Sequence, residues 1–249
     1  VRIEFTENVN AFVLNNQFHE NSISSDKRIK ILIKKLKKQA AKSQQELISL
    51  FDQNNIPSLR YRNFWIVNMV VAYLDISTIK KISLFDDISL IDLETNRIIP
   101  YDPIIENTNN NRQPNGVENG LIAINAPPLW ALGYTGRGRL VYNYDTGVWP
   151  SHPAFKDRFI GAHYPMDQSW IGYFNSNPNG TINDHGTHTL GTIAGLVSQT
   201  NDTIGVAFKS YWIANDFVTA TVQELPPIAN MMAAFAWALT PDVDSCPTL

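Results

Sequence analysis

One cysteine, Cys246, stands in 249 residues. A single thiol forms no disulfide within the chain, so neither a disulfide scaffold nor a cysteine-clustered metal site holds this fold together. Charge is sparing as well: the formal net charge of -3 lacks the large positive excess of a nucleic-acid binder, and no nucleic-acid partner is implied. Long apolar runs are missing. The longest, Ile66 to Leu74 and Ile228 to Leu239, carry Asn68 and Asn230 and fall short of the roughly 20 residues that span a bilayer, so no membrane span is expected. The chain begins at Val1, and no basic segment followed by an apolar core reads as a signal peptide in it. What remains is 44% hydrophobic, enough for one or two domains with cores of their own.

Residues 1–95 read as a small α+β unit. Val1 to Ser25 is rich in asparagine and weakly periodic, with Ala11 to Leu14 suggesting a short strand. From Ser24-Ser25-Asp26 onward, Ile29, Leu32, Ile33, Leu36, Ala40, Ser43, Leu47, Leu50 and Phe51 keep helical spacing for about seven turns. The opposite face carries Lys27, Arg28, Lys30, Lys34, Lys35, Lys37, Lys38 and Lys42. Because the apolar stripe is core-like and no aromatic residue interleaves, this is read as a solvated face. Phe64 to Leu74 is strand-rich, either one long strand or a hairpin partner, Ser77 to Leu84 suits a shorter helix, and Ser89 to Leu93 a last strand. Helices packed on one face of an antiparallel sheet accommodate that order. Residues 96–120, with Asn107, Asn109, Asn110, Asn111, Pro114, Asn115 and Gly116, offer little to bury and read as an exposed linker open to proteolytic processing.

Residues 121–249 carry the chemistry. Gly133-Tyr134-Thr135-Gly136-Arg137-Gly138 precedes a strand with no helix after it, so it reads as a turn and not as a phosphate loop. Leu140 to Tyr144 suits a buried parallel strand, and Asp145-Thr146-Gly147 ends it, placing an acid at the carboxyl edge where α/β sheets gather functional groups. Forty residues on, Asn183-Asp184 offers a helix N-cap, and Leu190, Ile193, Ala194 and Val197 recur at helical spacing, so His185 opens a helix. Gly191 and Gly195 leave a stripe on that helix for close backbone approach. A histidine beside a carboxylate is the equipment of a general base whose tautomer and charged form are held by an acid, worth roughly 10²–10⁴-fold in rate. Ile204 to Ala207 and Tyr211 to Ala214 suggest the next strand region.

Four blocks in order resemble the subtilisin-like serine proteases, the subtilases. They are Gly133 to Gly138, Tyr144 to Val148 with His152-Pro153, Asp184 to His188 with Gly191 to Gly195, and Gly205-Val206-Ala207. The resemblance implies Asp145 as triad acid and His185 as triad base, with His188 outside the triad. It implies an α/β, parallel-sheet catalytic domain, with Ile122 to Trp130 and Leu132 as its helical lead-in and incomplete at Leu249, preceded by a ferredoxin-like propeptide that assists folding and packs on the catalytic domain as inhibitor. It also implies polypeptide substrates, a secreted or extracellular location and structural calcium, although no cofactor or metal site is visible in the residues. Phe208, where the family commonly has proline, and Asn143, polar within the acid's strand, are departures. No serine here stands in the family's Gly-Thr-Ser motif: Ser198, Ser210 and Ser245 read as surface or loop residues, so nucleophile and oxyanion-hole residue are expected beyond Leu249 and the 249 residues alone are expected to be inactive.

Two other readings compete. Asp145, His152, His185 and His188 could form a zinc site, although no glutamate stands between the helix histidines as in zinc proteases. Alternatively the chain is a non-catalytic binding or inhibitory module derived from a truncated subtilase.

Overall fold

The structure, a computed structural model, describes residues 1–94, 116–178, 184–218 and 226–240, which form two units: 1–94 with 226–240, and 116–178 with 184–218. The expected linker lies for most of its length outside the described residues, as does Ser245.

The first unit runs β1 (Arg2–Phe5), α1 (Ala11–Glu20), α2 (Ser25–Gln53), β2 (Tyr61–Phe64), β3 (Met69–Ala72), α3 (Ile76–Ile82) and β4 (Ile88–Asp92). Its four strands form one antiparallel sheet in the order β2-β3-β1-β4. Every residue of β3 is buried, and the two-residue period of a strand explains how. Val70 and Ala72 join Ile3, Phe5, Leu47, Phe51 and Ile82 in one core, whereas Met69 and Val71 join Phe64 and the helix Ile228–Leu239 in another, through Ile228, Ala229, Met232 and Ala233. Glu94 Oε1 accepts the Ala229 N–H at 2.9 Å, a carboxylate at the helix end where unpaired N–H groups and the dipole favour one.

One expectation for this unit needs correction, and the choice left open at Phe64 to Leu74 falls to a hairpin. Ala11 to Leu14 is helical: Asn10 Oδ1 accepts the Val13 N–H at 3.0 Å as an N-cap, and Leu14 and Phe18, four apart, supply the buried face. The run from Phe64 to Leu74 is not a single strand, because Asn68 (φ 45°) turns the chain between β2 and β3. That turn is built into the core, since Gln44 Nε2 donates to Phe64 O at 3.0 Å and Asn68 Oδ1 at 3.1 Å, and Asn68 Nδ2 donates to Glu7 O at 2.7 Å.

The second unit contains α4 (Asn119–Ala123), α5 (Ala126–Ala131), β5 (Leu140–Asn143), β6 (Trp170–Ile171), α6 (His185–Ala194), β7 (Leu196–Val197), β8 (Asp202–Thr203) and β9 (Tyr211–Asn215). A parallel sheet of order β5-β9-β6 is its frame, with β7 and β8 as a separate antiparallel pair. Trp212, fully buried on the central strand, stacks on Phe159 at 4.4 Å, meets Phe155 edge-on at 5.6 Å and donates its indole N–H to Phe155 O at 2.9 Å. Leu190 and Ala194 of α6 close the same core with Val148, Ala154 and Trp170.

Val197 lies outside α6, which stops at Ala194 with Gly195 as C-cap; the Ile204 and Gly205 N–H groups donate to Gly195 O at 3.0 and 2.8 Å and fix that end. Ile204 to Ala207 is therefore a connection after β8, not a strand. Replacing Phe51, which has no exposed surface and lies 5.0 Å from the Tyr61 ring, with alanine should cost about 3–5 kcal/mol. Urea unfolding followed by circular dichroism is the check.

Candidate active site

Parallel pairing brings the carboxyl ends of β5, β9 and β6 to one edge, and the polar groups of the second unit converge there. Asn215 ends β9. Its Oδ1 accepts the Asp145 N–H at 3.0 Å and its Nδ2 donates to the Tyr142 hydroxyl at 2.5 Å, so one fully buried amide ties the acid's backbone to the neighbouring strand. Burial first, and then the nearby Tyr144, raise the Tyr142 hydroxyl's pKa, which keeps it a neutral acceptor; burial also pushes Tyr144 up to about 12. Next to Asn215, the carboxylate of Asp216, 1% exposed, accepts the N–H groups of Tyr173 at 2.5 Å, Phe174 at 3.2 Å and Asn175 at 2.7 Å, and the Asn175 side-chain amide at 2.8 Å.

Asp145 and His185 meet at this edge. Nδ1 of His185 lies 2.7 Å from Asp145 Oδ1, with the imidazole side chain 66% exposed and the carboxylate 11%. Oδ1 also accepts the Thr146 N–H at 2.7 Å, and Oδ2 accepts the Thr189 hydroxyl at 2.9 Å. A carboxylate only accepts, so in a neutral ring the proton sits on Nδ1 and Nε2 carries the lone pair. That is the tautomer a general base requires.

The approach depends on Gly186. A Cβ there would stand 2.1 Å from Gly147 O and 3.1 Å from Asp145 Cβ, so only glycine lets the first turn of α6 press against the Asp145-Thr146-Gly147 turn. Two side chains pin the contact: Thr146 Oγ1 accepts the Gly186 N–H at 3.1 Å, and Thr187 Oγ1 accepts the Trp149 N–H at 2.9 Å. Asp184 holds the N-cap position but its side chain makes no capping bond, so the N-cap expected there does not form through it; Asn183 lies outside the described residues. At Gly191 a Cβ would meet nothing within 4 Å; the tight glycines of α6 are Gly186 and Gly195 at its ends.

The remaining candidates lie elsewhere. His188 is exposed and lines a groove of about 820 Å³ with His152, Trp149, Thr192 and Val206. His152 stacks on Phe155 at 5.0 Å and its Nδ1 accepts the Ala154 N–H at 3.2 Å. Among the described residues no three His, Cys, Asp or Glu side chains gather where one ion could be held, so the four residues of the zinc alternative are not assembled. Ser198 is exposed, and Ser210 lies in the loop just before β9, where it is fully buried.

Thr189 and Asn215 were missed from the sequence. Thr189 stands four residues after His185, on the same face of α6, and that spacing could have shown it. Asn215 carried no comparable signal, because which residue of one strand meets which of another depends on register.

Residues 136–243 match the Subtilase family (Peptidase_S8). The chain is 27% identical over 236 residues to Bacillopeptidase F of Bacillus subtilis, covering 84% of this chain and 15% of that one. It is 38% identical over 112 residues to an intracellular serine protease of Paenibacillus polymyxa, 44% of this chain and 31% of that one. With Subtilisin E of Bacillus subtilis it shares 30% over 145 residues, 58% of this chain and 32% of that one. The chain thus spans about a third or less of the length of these relatives.

Gly186→Ala should separate the pair, with loss of the His185–Asp145 bond in histidine NMR and about 1–3 kcal/mol lower stability in thermal melts. A pH effect is expected at His152. Burial lowers its pKa below 6.5, and protonating Nδ1 would break the bond from Ala154, so the unfolded chain takes up the proton first. Stability from this ring is present above the unfolded value and lost as pH falls through it towards the folded one. Between roughly pH 7 and pH 5, the parent should therefore lose stability relative to His152→Phe in paired urea titrations.

Proposed function

We propose, from a segment that matches the Subtilase family at residues 136–243, that this chain is part of a serine endopeptidase that hydrolyses peptide bonds of polypeptide substrates. In this reading Asp145 orients His185, and His185 takes the proton of a serine supplied from beyond the 249 residues. The carrying observation is the 2.7 Å bond from His185 Nδ1 to Asp145 Oδ1 at the carboxyl edge of a parallel sheet. It leaves the lone pair on Nε2, the nitrogen that would take the proton, in a side chain 66% exposed. The carboxylate then stabilises the imidazolium that forms when the proton transfers. The same ring returns the proton to the leaving amine, which completes acyl transfer without net consumption of the base.

Residues 1–95 are read as the propeptide. Three observations support it: their four-stranded sheet with α2 and α3, their contact with the helix Ile228–Leu239, and a similarity to Bacillopeptidase F that covers 84% of the chain and so must reach upstream of residue 116. The parts then run 1–95 as propeptide, 96–120 as the processed linker and 121–249 as the front of the catalytic domain. Secretion follows from the same reading. Structural calcium finds no described carboxylate cluster to hold it, and no step uses it.

The test uses the full-length protein with its downstream serine. His185→Ala should lower peptidase turnover by roughly 10⁴-fold or more while its thermal melt stays close to that of the parent. The 249 residues alone should hydrolyse no peptide at an enzymatic rate and keep an unchanged mass after a serine-directed covalent inhibitor. Peptidase activity retained in His185→Ala would sink the assignment.

A further inference from the structure

We infer that Thr189, its hydroxyl aimed by Asn143, is a positioning residue that holds the Asp145 carboxylate in register with His185; the inference rests on the Asp145–His185 pairing proposed above. Thr189 Oγ1 has three polar neighbours: Asp145 Oδ2 at 2.9 Å, Gly186 O at 3.1 Å and Asn143 Nδ2 at 3.1 Å. A hydroxyl carries one hydrogen, and two of these neighbours can only accept. The amide of Asn143 decides between them. Its Nδ2 also lies 3.4 Å from Gly186 O, and a flipped amide would set oxygen against that carbonyl oxygen, so nitrogen faces both groups. Asn143 therefore donates into Thr189 and towards Gly186 O, and the threonine hydrogen is left for the charged acceptor, the stronger of the two.

The result is a relay in one direction, from Asn143 N–H to Thr189 O–H to Asp145 Oδ2, on the oxygen that His185 does not use. Oδ1 is fixed by Thr146 N–H and His185. Without a donor on Oδ2 the carboxylate can twist about its own bond, and the alignment with Nδ1 loosens. A cost accompanies the arrangement and argues that it is selected: Asn143 is 3% exposed and its Oδ1 has no hydrogen-bond partner among the described residues. A strand inside a core would be more stable with an apolar residue there, so the amide is kept for what its nitrogen does.

The experiment reads the Nδ1 proton of His185 by NMR in the 249-residue chain labelled at histidine, and kcat and KM in the full-length protein. Thr189→Val keeps the volume and removes the donor. It should speed exchange of that proton with water about tenfold and lower kcat by a similar factor with KM unchanged, whereas Thr189→Ser stays within about twofold of the parent. Asn143→Val gives the same direction with a smaller effect, and serves if Thr189→Val folds poorly. Asp145→Asn is the control, and it should abolish the protected resonance. Loss of the resonance in Asp145→Asn with unaltered exchange in both Thr189→Val and Asn143→Val overturns the positioning role and leaves the pair standing. A resonance untouched by Asp145→Asn removes the pair, and this inference with it.

Discussion

A helix can hand its first side chain to a strand end only if its backbone comes close enough, and in the second unit that distance is set where Gly186 meets the carbonyl of Gly147. The bond between His185 and Asp145, the bonds from Gly186 to Thr146 and from Trp149 to Thr187, and the reach of Thr189 to the second carboxylate oxygen all presuppose it. The sheet supplies the other half of the constraint. Parallel strands end on the same side, so Asp145, Asn215 and the Asp216 carboxylate are neighbours by topology before any side chain chooses a rotamer.

The first unit shows a different economy. Its central strand β3 has no polar face to give to solvent, so the sheet needs a layer on each side. The long helix α2 and α3 provide one through Leu47, Phe51 and Ile82, and the helix Ile228–Leu239 provides the other through Ala229 and Met232. The small residues Ala229 and Ala233 let that helix sit close, and Glu94 meets its N-terminus. A sheet with one face uncovered would leave Met69 and Val71 in water, at a cost of about 1.5–3 kcal/mol for each side chain of that size.

Legibility in the sequence followed physical range. The helix from Ser25 was readable because its apolar spacing persists over many turns, and the strand before Asp145 because a turn follows it at once. His185 and Asp145 stood out as residues with a chemistry, and their meeting was expected only through the family resemblance, since forty intervening positions by themselves say nothing about separation in space. Errors came where a local signal was too short. Ala11 to Leu14 looks like a strand until Phe18 is counted on the same face, and Val197 fits the helical spacing of Leu190 and Ala194 although Gly195 ends the helix before it. Ser210 was readable as a loop residue but its burial was not, because a small polar residue carries no burial signal of its own.

Asp216 draws three consecutive backbone N–H groups and one side-chain amide onto a single buried carboxylate. Such a knot pins the connection that follows β6 to the end of β9. Inserting or deleting a residue from Tyr173 to Asn175 would strand a charge in the interior. Natural variation in length should spare that tripeptide.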